Sequence, residues 1–148
     1  MKKQIAVALL LFGTSTHCVA AQKSFKPITV GMVALLARPQ KYNGKTIETW
    51  GYLFIGGMPE QDSLWLREED GKFMLSKSSF GLDLSPEQRQ QFRCLNRTYV
   101  LITGTLKSKG PDTPSLNSGT ITRITALTGW SPYRPQPCET TTSDHPTP

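Results

Sequence analysis

The chain has 148 residues, of which 37% are hydrophobic, and it carries 17 lysine and arginine residues against 11 aspartate and glutamate, a net charge of +6. This length accommodates one domain of ordinary size and excludes a second. The mildly basic charge favours contact with anionic surfaces or polymers, but it does not require such a partner.

The N-terminus has the pattern of a signal peptide. Two lysines precede a short apolar run, Ile5 to Phe12, and small residues suited to cleavage follow at Ala20 and Ala21. The apolar run is too short to span a bilayer. Cys18 lacks the small preceding residue that is usual at a lipid-modified cysteine, so we expect no lipid anchor. Cleavage of residues 1–21 would give a periplasmic or secreted chain with 15 basic and 11 acidic residues, a net charge of +4.

The first element after the leader is a predicted helix within the segment PITVGMVALLARPQKY. Thr29 suits the N-cap position, and Pro39 is a stop signal. Apolar residues surround the helix axis instead of forming a stripe, which predicts a largely buried helix.

A turn at Asn43-Gly44 then leads into the longest predicted strand, within YNGKTIETWGYLFIGG. Because side chains alternate between the faces of a strand, its residues divide into two sets. One set contains Ile47, Thr49, Gly51, Leu53 and Ile55, and the other contains Thr46, Glu48, Trp50, Tyr52 and Phe54. A glycine in mid-strand is typical of a bulge or sharp bend, as where one strand serves both halves of a barrel.

Shorter strands are predicted next. Ser63 to Arg67 forms the second strand, Glu68 to Gly71 an acidic turn, and Lys72 to Ser76 the start of a third strand. The segment SFGLDL continues the strand pattern, with Phe80, Leu82 and Leu84 on one face.

The C-terminal half contains a helix and two strands. Ser85 is a predicted N-cap, with proline at the next position, and its helix should run to Phe92 or Arg93. Arg97 to Leu106 is a strong predicted strand, and the irregular loop Lys107 to Gly119 follows it. The last strand, GTITRITALTGW, repeats its apolar residues every third position, which indicates a bulge.

The cysteine count indicates a disulfide. Without the leader, Cys94 and Cys138 remain, an even pair in an oxidising compartment. Their pairing would close a long loop, which stabilises a fold by roughly 4 kcal/mol at most. Two free thiols are the alternative. The proline- and threonine-rich segment 131–148 should be disordered except where Cys138 tethers it.

This order of elements resembles the OB-fold, a five-stranded barrel with a helix between its third and fourth strands. The segments VALLARPQKYNGKTIETWGYL, SLWLREED, FGLDL, YVLITGTL and SGTITRITALTGW resemble a family of small exported bacterial proteins of mostly uncharacterised function. The resemblance implies a mainly β domain over residues 22–130, with an additional N-terminal helix. Relatives carry a glycine-histidine-glycine element in the last loop. Here PDTPSLNSG has no histidine, so no role of that residue carries over.

This domain contains few of the residues that enzymes commonly use for catalysis. His17 would leave with the leader and His145 lies in the tail, so the commonest catalytic base and metal ligand is missing. The acidic run Glu68-Glu69-Asp70 is typical of a solvated turn. A weak calcium site is the alternative, although the run lacks alternate-residue ligand spacing. We therefore predict no catalysis, no cofactor and no metal site.

Aromatic residues beside cations are the better functional candidates, because OB barrels bind oligonucleotides and oligosaccharides on a strand face. The candidate rings and cations are Trp50, Tyr52, Phe54, Trp65, Arg67, Lys72 and Lys77. The alternative is that the first helix covers Trp50 and Tyr52, which would make them a second small core.

Three functions remain open at this point. The first is an exported binding module that contacts an envelope or exported protein through the barrel face or the loop Lys107 to Gly119. The second is binding of an anionic polymer or a glycan on the aromatic and basic face. The third is an enzyme or an enzyme inhibitor. The sequence leaves the oligomeric state open.

Overall fold

The strands of the computed structural model, which describes residues 26–110 and 116–130, form one six-stranded sheet. The strands are β1 (Ile28–Thr29), β2 (Thr46–Phe54), β3 (Ser63–Trp65), β4 (Ser79–Leu82), β5 (Tyr99–Ser108) and β6 (Gly119–Gly129). The predicted leader and tail lie outside the described residues.

Five of these strands close into a barrel. They follow the order β2, β3, β4, β6, β5, and β5 pairs again with β2. The β4–β6 pair is parallel, whereas the other pairs of the barrel are antiparallel. The prediction of a mainly β, five-stranded, OB-fold-like barrel is confirmed.

Within the described residues, three short α-helices accompany the barrel: α1 (Met32–Ala37), α2 (Glu68–Lys72) and α3 (Pro86–Gln91). Single 3-10 turns occur at Pro39–Tyr42, Pro59–Gln61, Ser76–Ser78 and Arg93–Leu95. The helix α3 lies between the third and fourth barrel strands, as the sequence predicts. No helix in the described part of the chain is long and apolar enough to cross a membrane.

The core of the barrel follows from strand alternation. On β2, Ile47, Thr49, Gly51 and Leu53 are buried, as predicted for one face of that strand. The largest fully buried apolar side chains are Leu35, Ile47, Leu53, Leu64, Phe80, Val100, Ile102, Leu106 and Ile121. Strand β2 pairs with β5 from Thr46 to Tyr52 and with β3 from Tyr52 to Phe54, so one strand serves both halves of the barrel.

Gly51 stands where the two halves meet, and close approach explains it. The pairing of β2 with β5 runs past Gly51 without a shift in register, so of the predicted bulge or sharp bend, the bulge does not occur there. A Cβ at this position would lie 2.7 Å from the backbone oxygen of Trp65 and 2.8 Å from Cγ of Leu64. Only glycine allows β3 to approach β2 this closely.

The bulge predicted for the last strand is present in β6. Thr103 pairs with Ala126 and Thr105 pairs with Thr122, so β6 has extra residues at this point. Arg123 lies within the bulge and has a φ of 47°. Bulges bend a strand, as closure of a small barrel requires.

The first helix differs from the sequence prediction. Thr29 belongs to β1, which pairs in parallel with β2, and the N-cap of α1 is Gly31. Met32 and Leu35 are buried in the core, but Val33 is 67% exposed. The expectation of a largely buried helix is wrong, because a helix of six residues presents only one face to the barrel.

The segment after β3 also differs. The residues predicted as an acidic turn form the first turn of α2, and the predicted strand Lys72 to Ser76 is the end of this helix and the turn after it. Carboxylates are stabilised at a helix N-terminus, and Lys72 pairs with Glu68 at i, i+4 with an N–O distance of 2.9 Å. These charges favour a helix over a hairpin turn.

Candidate binding face

The predicted rings on β2 point away from the core. Trp50 is 41% exposed, and Tyr52 is half-buried on the same face. The first helix does not bury Trp50: its N-cap Gly31 approaches the far edge of the indole ring, where a Cβ would lie 3.6 Å away, but 41% of the residue stays exposed. The alternative in which α1 buries these two rings as a second core is therefore wrong.

Trp65 is only 5% exposed, so the prediction that it is an available stacking ring is wrong. It too lies outside the main core, but α2 covers it, and a Cβ on Gly71 would lie 3.4 Å from the indole ring. The indole Nε1 is buried and has no hydrogen-bond partner among the described residues. Trp65 is thus the centre of a small second core beneath α2.

Four aromatic side chains form a continuous surface on β2, β5 and the end of β6. Tyr52 lies opposite Tyr99, and the backbone N–H of Trp130 donates to the Tyr99 carbonyl at 2.7 Å, so the three residues form one row. Trp50 lies in the adjacent row, opposite Leu101. We name Trp50, Tyr52, Tyr99 and Trp130 the aromatic face.

The rings of the aromatic face pack in two pairs. Trp50 and Trp130 are stacked, with ring centroids 6.3 Å apart and an interplanar angle of 19°. Tyr52 and Tyr99 meet edge to face, with centroids 5.5 Å apart and an angle of 68°. Both arrangements are favourable for aromatic pairs. Trp130 is 52% exposed and Tyr99 38% exposed, so the paired rings remain accessible.

Two members of the aromatic face were not among the sequence candidates. Tyr99 requires knowledge of the β2–β5 register, which places it opposite Tyr52. Trp130 continues the every-third-residue pattern of Ile121, Ile124 and Leu127, which are buried, yet it lies on the exposed side. The bulge shifts the alternation of β6, and this makes Trp130 difficult to assign from its spacing.

Charges of both signs lie beside the tyrosines. Burial raises the pKa of Tyr52 above 10.0, Glu68 raises it further, and Arg97 and Lys72 lower it. The backbone N–H of Glu68 donates to the Tyr99 hydroxyl at 3.3 Å, which connects α2 to the aromatic face. Lys72 donates a hydrogen bond to the Glu68 carboxylate, which raises the pKa of Lys72. Lys72 therefore stays protonated, and Glu68 offsets part of its positive charge.

The predicted cations are distributed unevenly. Lys72 acts electrostatically on Tyr52, whereas Arg67 and Lys77 are not among the charges that shift its pKa. Arg67 is exposed directly before α2, and Lys77 is exposed in the 3-10 turn before β4. Arg97, which the sequence analysis did not select, acts on Tyr52 and forms no ion pair within the described residues.

A separate cavity of about 300 Å³ lies beside Trp65, and the half-buried ring of Phe54 lines it. Met74 and Leu116 also line it and are 70% and 81% exposed. Leu116 belongs to the loop Lys107 to Gly119, so part of this predicted contact loop stands next to the second core.

Cys94 is exposed in the 3-10 turn after α3, and its Sγ lies 3.7 Å from the carbonyl oxygen of Gln91. Cys138 lies outside the described residues, so the Cys94–Cys138 disulfide stays a prediction.

Within the described residues, no group of three or more histidine, cysteine, aspartate or glutamate side chains could hold a metal ion.

Comparison with known proteins adds no assignment to these observations. No protein-family model matches the chain, and no curated protein is significantly similar to it.

Proposed function

We propose that the chain is an exported, non-catalytic binding module that contacts another exported or envelope protein through the aromatic face. The observation that carries this proposal is the exposure of Trp50, Tyr99 and Trp130 in one patch at 41%, 38% and 52%. Tryptophan and tyrosine are enriched at protein interfaces and dominate their binding energy. Contiguous exposed apolar surface on a small protein is typical of an interaction site.

The charges beside the aromatic face favour a protein partner over an anionic polymer. A polymer site requires several unpaired cations along a track. Here Lys72 is paired with Glu68 at 2.9 Å, and Arg97 is the cation near Tyr52 that lacks an ion pair in the described part. Arg97 beside a ring is the observation that keeps a polymer or glycan as the second candidate.

The proposal is tested by affinity capture from an envelope fraction with the mature chain as bait. Replacing Trp50 or Trp130 by alanine should reduce the amount of a specific partner that is retained, because the binding free energy should weaken by about 1 to 3 kcal/mol, the size usual for an interface aromatic. Phe73→Ala is the matched control, since Phe73 is an exposed ring outside the aromatic face, 75% exposed. Both tryptophan variants should remain folded, with melting temperatures much closer to that of the parent than that of Trp65→Ala.

Two results would contradict the proposal. Loss of retention with Leu116→Ala but not with the tryptophan variants would place the contact on the loop Lys107 to Gly119. A partner that is lost steeply with rising salt would indicate an anionic polymer, because counterion release makes such binding salt-dependent.

A further inference from the structure

A second concave region lies away from the aromatic rings, between the end of β2 and α3. Its cavity has a volume of about 570 Å³ and is lined by Gly56, Gly57, Arg89, Gln90, Arg93 and Asn96, among others. We name it the arginine cavity. Arg89 and Gln90 follow Pro86 at i+3 and i+4, so the three residues share one face of α3, and Arg93 in the 3-10 turn after α3 continues the lining.

Arg89 is held in a fixed position at this cavity. Its Nε donates to Oδ2 of Asp62 at 2.7 Å, and its Nη2 donates to the Gly56 carbonyl at 2.7 Å. The Asp62 side chain is completely buried, whereas 22% of the Arg89 side chain is exposed. A buried carboxylate thus orients a guanidinium that still reaches the cavity, which is how proteins preorganise a binding group.

The hydrogen-bonding groups of the cavity are mostly donors. The Asn96 Oδ1 accepts a hydrogen bond from the Ile55 backbone N–H at 2.8 Å, and the Asn96 Nδ2 donates one to the Ile55 carbonyl at 3.2 Å. The side chains of Gln90 and Arg93 have no hydrogen-bond or ion-pair partner within residues 26–110 and 116–130. None of the described residues that line the cavity carries a carboxylate. Unpaired guanidinium and amide N–H groups therefore face a space with few acceptors.

Charge leads to the same conclusion. Asp62 offsets the charge of Arg89, so the exposed Arg93 supplies a net positive charge at the cavity. A guanidinium with free N–H groups matches the geometry of a carboxylate or phosphate, which it binds through two parallel hydrogen bonds. A volume of about 570 Å³ lies within the range of small-molecule sites.

We propose that the arginine cavity binds a small molecule carrying an oxyanion, a carboxylate or a phosphate, through Arg93 and the oriented Arg89. This site is independent of the aromatic face. Arg93 contacts the ligand oxygens directly, Gln90 donates to the same group, and Asp62 is a positioning residue that keeps Arg89 in place.

The test is an NMR titration of the isotopically labelled chain, in one arm with sodium phosphate and in another with sodium acetate. Sodium chloride holds the ionic strength constant in both. We expect saturable shifts of the Gly56 and Gly57 amide signals in at least one arm. Arg93→Gln should weaken the binding about tenfold, which corresponds to about 1.4 kcal/mol. Arg38→Gln is the matched control, because it removes one exposed arginine outside the cavity and should bind like the parent.

Each result of the titration either supports or overturns the proposal. Saturation with phosphate alone assigns a phosphate site, and saturation with both probes assigns a general oxyanion site. Shifts that rise linearly without saturation in both arms would overturn the proposal. Equal affinities of Arg93→Gln and Arg38→Gln would overturn it as well, because binding would then not depend on this cavity.

Discussion

At the scale of single residues, the three tryptophans occupy two different environments. Trp65 is 5% exposed under α2, whereas Trp50 and Trp130 are 41% and 52% exposed. Truncation of a buried tryptophan leaves a cavity and costs about 3 to 5 kcal/mol of stability. We therefore expect Trp65→Ala to lower the free energy of unfolding by that amount, as measured by denaturant unfolding.

Trp130→Ala is the control for this prediction and should change stability far less, since half of its side chain is exposed. Trp65→Phe should cost clearly less than Trp65→Ala, because it keeps a ring and removes the buried Nε1 that lacks a partner. Similar stability losses for Trp65→Ala and Trp130→Ala would show that α2 does not form a second core.

Strand alternation predicted correctly that Trp50 and Tyr52 lie on the same face of β2, opposite to the face of Ile47 and Leu53. The same reasoning could not predict that Trp65 is covered, because its burial depends on α2, an element that the sequence patterns did not indicate. Tyr99 could not be assigned to the face of Tyr52 without the register of two strands that are distant in sequence. Local sequence patterns therefore could not predict which rings are exposed.

At the scale of elements, local sequence signals were enough to predict where α3 begins. The Ser85 hydroxyl accepts a hydrogen bond from the Gln88 backbone N–H at 3.2 Å, and the Gln88 side chain accepts from the Ser85 N–H at 3.0 Å. This reciprocal capping box, with Pro86 at the first helical position, fixes where the helix begins. The sequence predicted this boundary correctly because all the groups involved lie within four residues.

We expect Ser85→Ala to destabilise the protein by about 1 kcal/mol, whereas Ser85→Thr, which keeps a hydroxyl, should cost less. Both variants can be compared by denaturant unfolding at neutral pH. The Ser85 hydroxyl also donates to the Glu87 carboxylate at 2.7 Å, which lowers the pKa of Glu87 below 4.5.

This carboxylate gives the prediction a dependence on pH. A carboxylate whose pKa is lower in the folded than in the unfolded state stabilises the fold at pH values above its unfolded-state pKa. This stabilisation is lost as the pH falls through the folded-state pKa. The stability difference between the parent and Ser85→Ala should therefore narrow in acid. A difference that widens in acid would contradict the role of the Ser85–Glu87 hydrogen bond.

The helix α2 is the element that sequence reasoning missed. Three acidic residues followed by glycine are typical of a turn, and a turn was the prediction. The same residues are also compatible with a helix, because carboxylates are favourable in a first helical turn and Lys72 lies at i+4 from Glu68. A helix of five residues is too short to be stable alone, so its packing on Trp65 determines the outcome.

At the scale of the whole molecule, barrel closure depends on the close approach of β3 to β2 at Gly51. Gly51→Ala would place a methyl group 2.7 Å from the Trp65 backbone oxygen, which cannot move without shifting the strand. We expect a loss of about 1 to 3 kcal/mol in the free energy of unfolding. Gly57→Ala is the control, since its nearest neighbour would be an ordinary contact at 3.8 Å. Unchanged stability of Gly51→Ala would contradict this account of closure.

The barrel also explains how distant residues form one surface. Antiparallel pairing of β2 with β5, and of β5 with β6, brings Trp50, Tyr99 and Trp130 together although they are far apart in sequence. The order of elements was enough to predict the barrel class. The aromatic face depends on register and on the bulge in β6, which no local pattern specifies.

Hydroxyl-radical footprinting of the three tryptophans, with the captured partner absent and present, tests the central claim most directly. In the free protein, Trp50 and Trp130 should be oxidised readily and Trp65 slowly, as their exposure requires. With the partner bound, Trp50 and Trp130 should become protected while Trp65 is unchanged. Rapid oxidation of Trp65 in the free chain, or equal oxidation of Trp50 and Trp130 in both states, would contradict the assignment of the aromatic face as the contact surface.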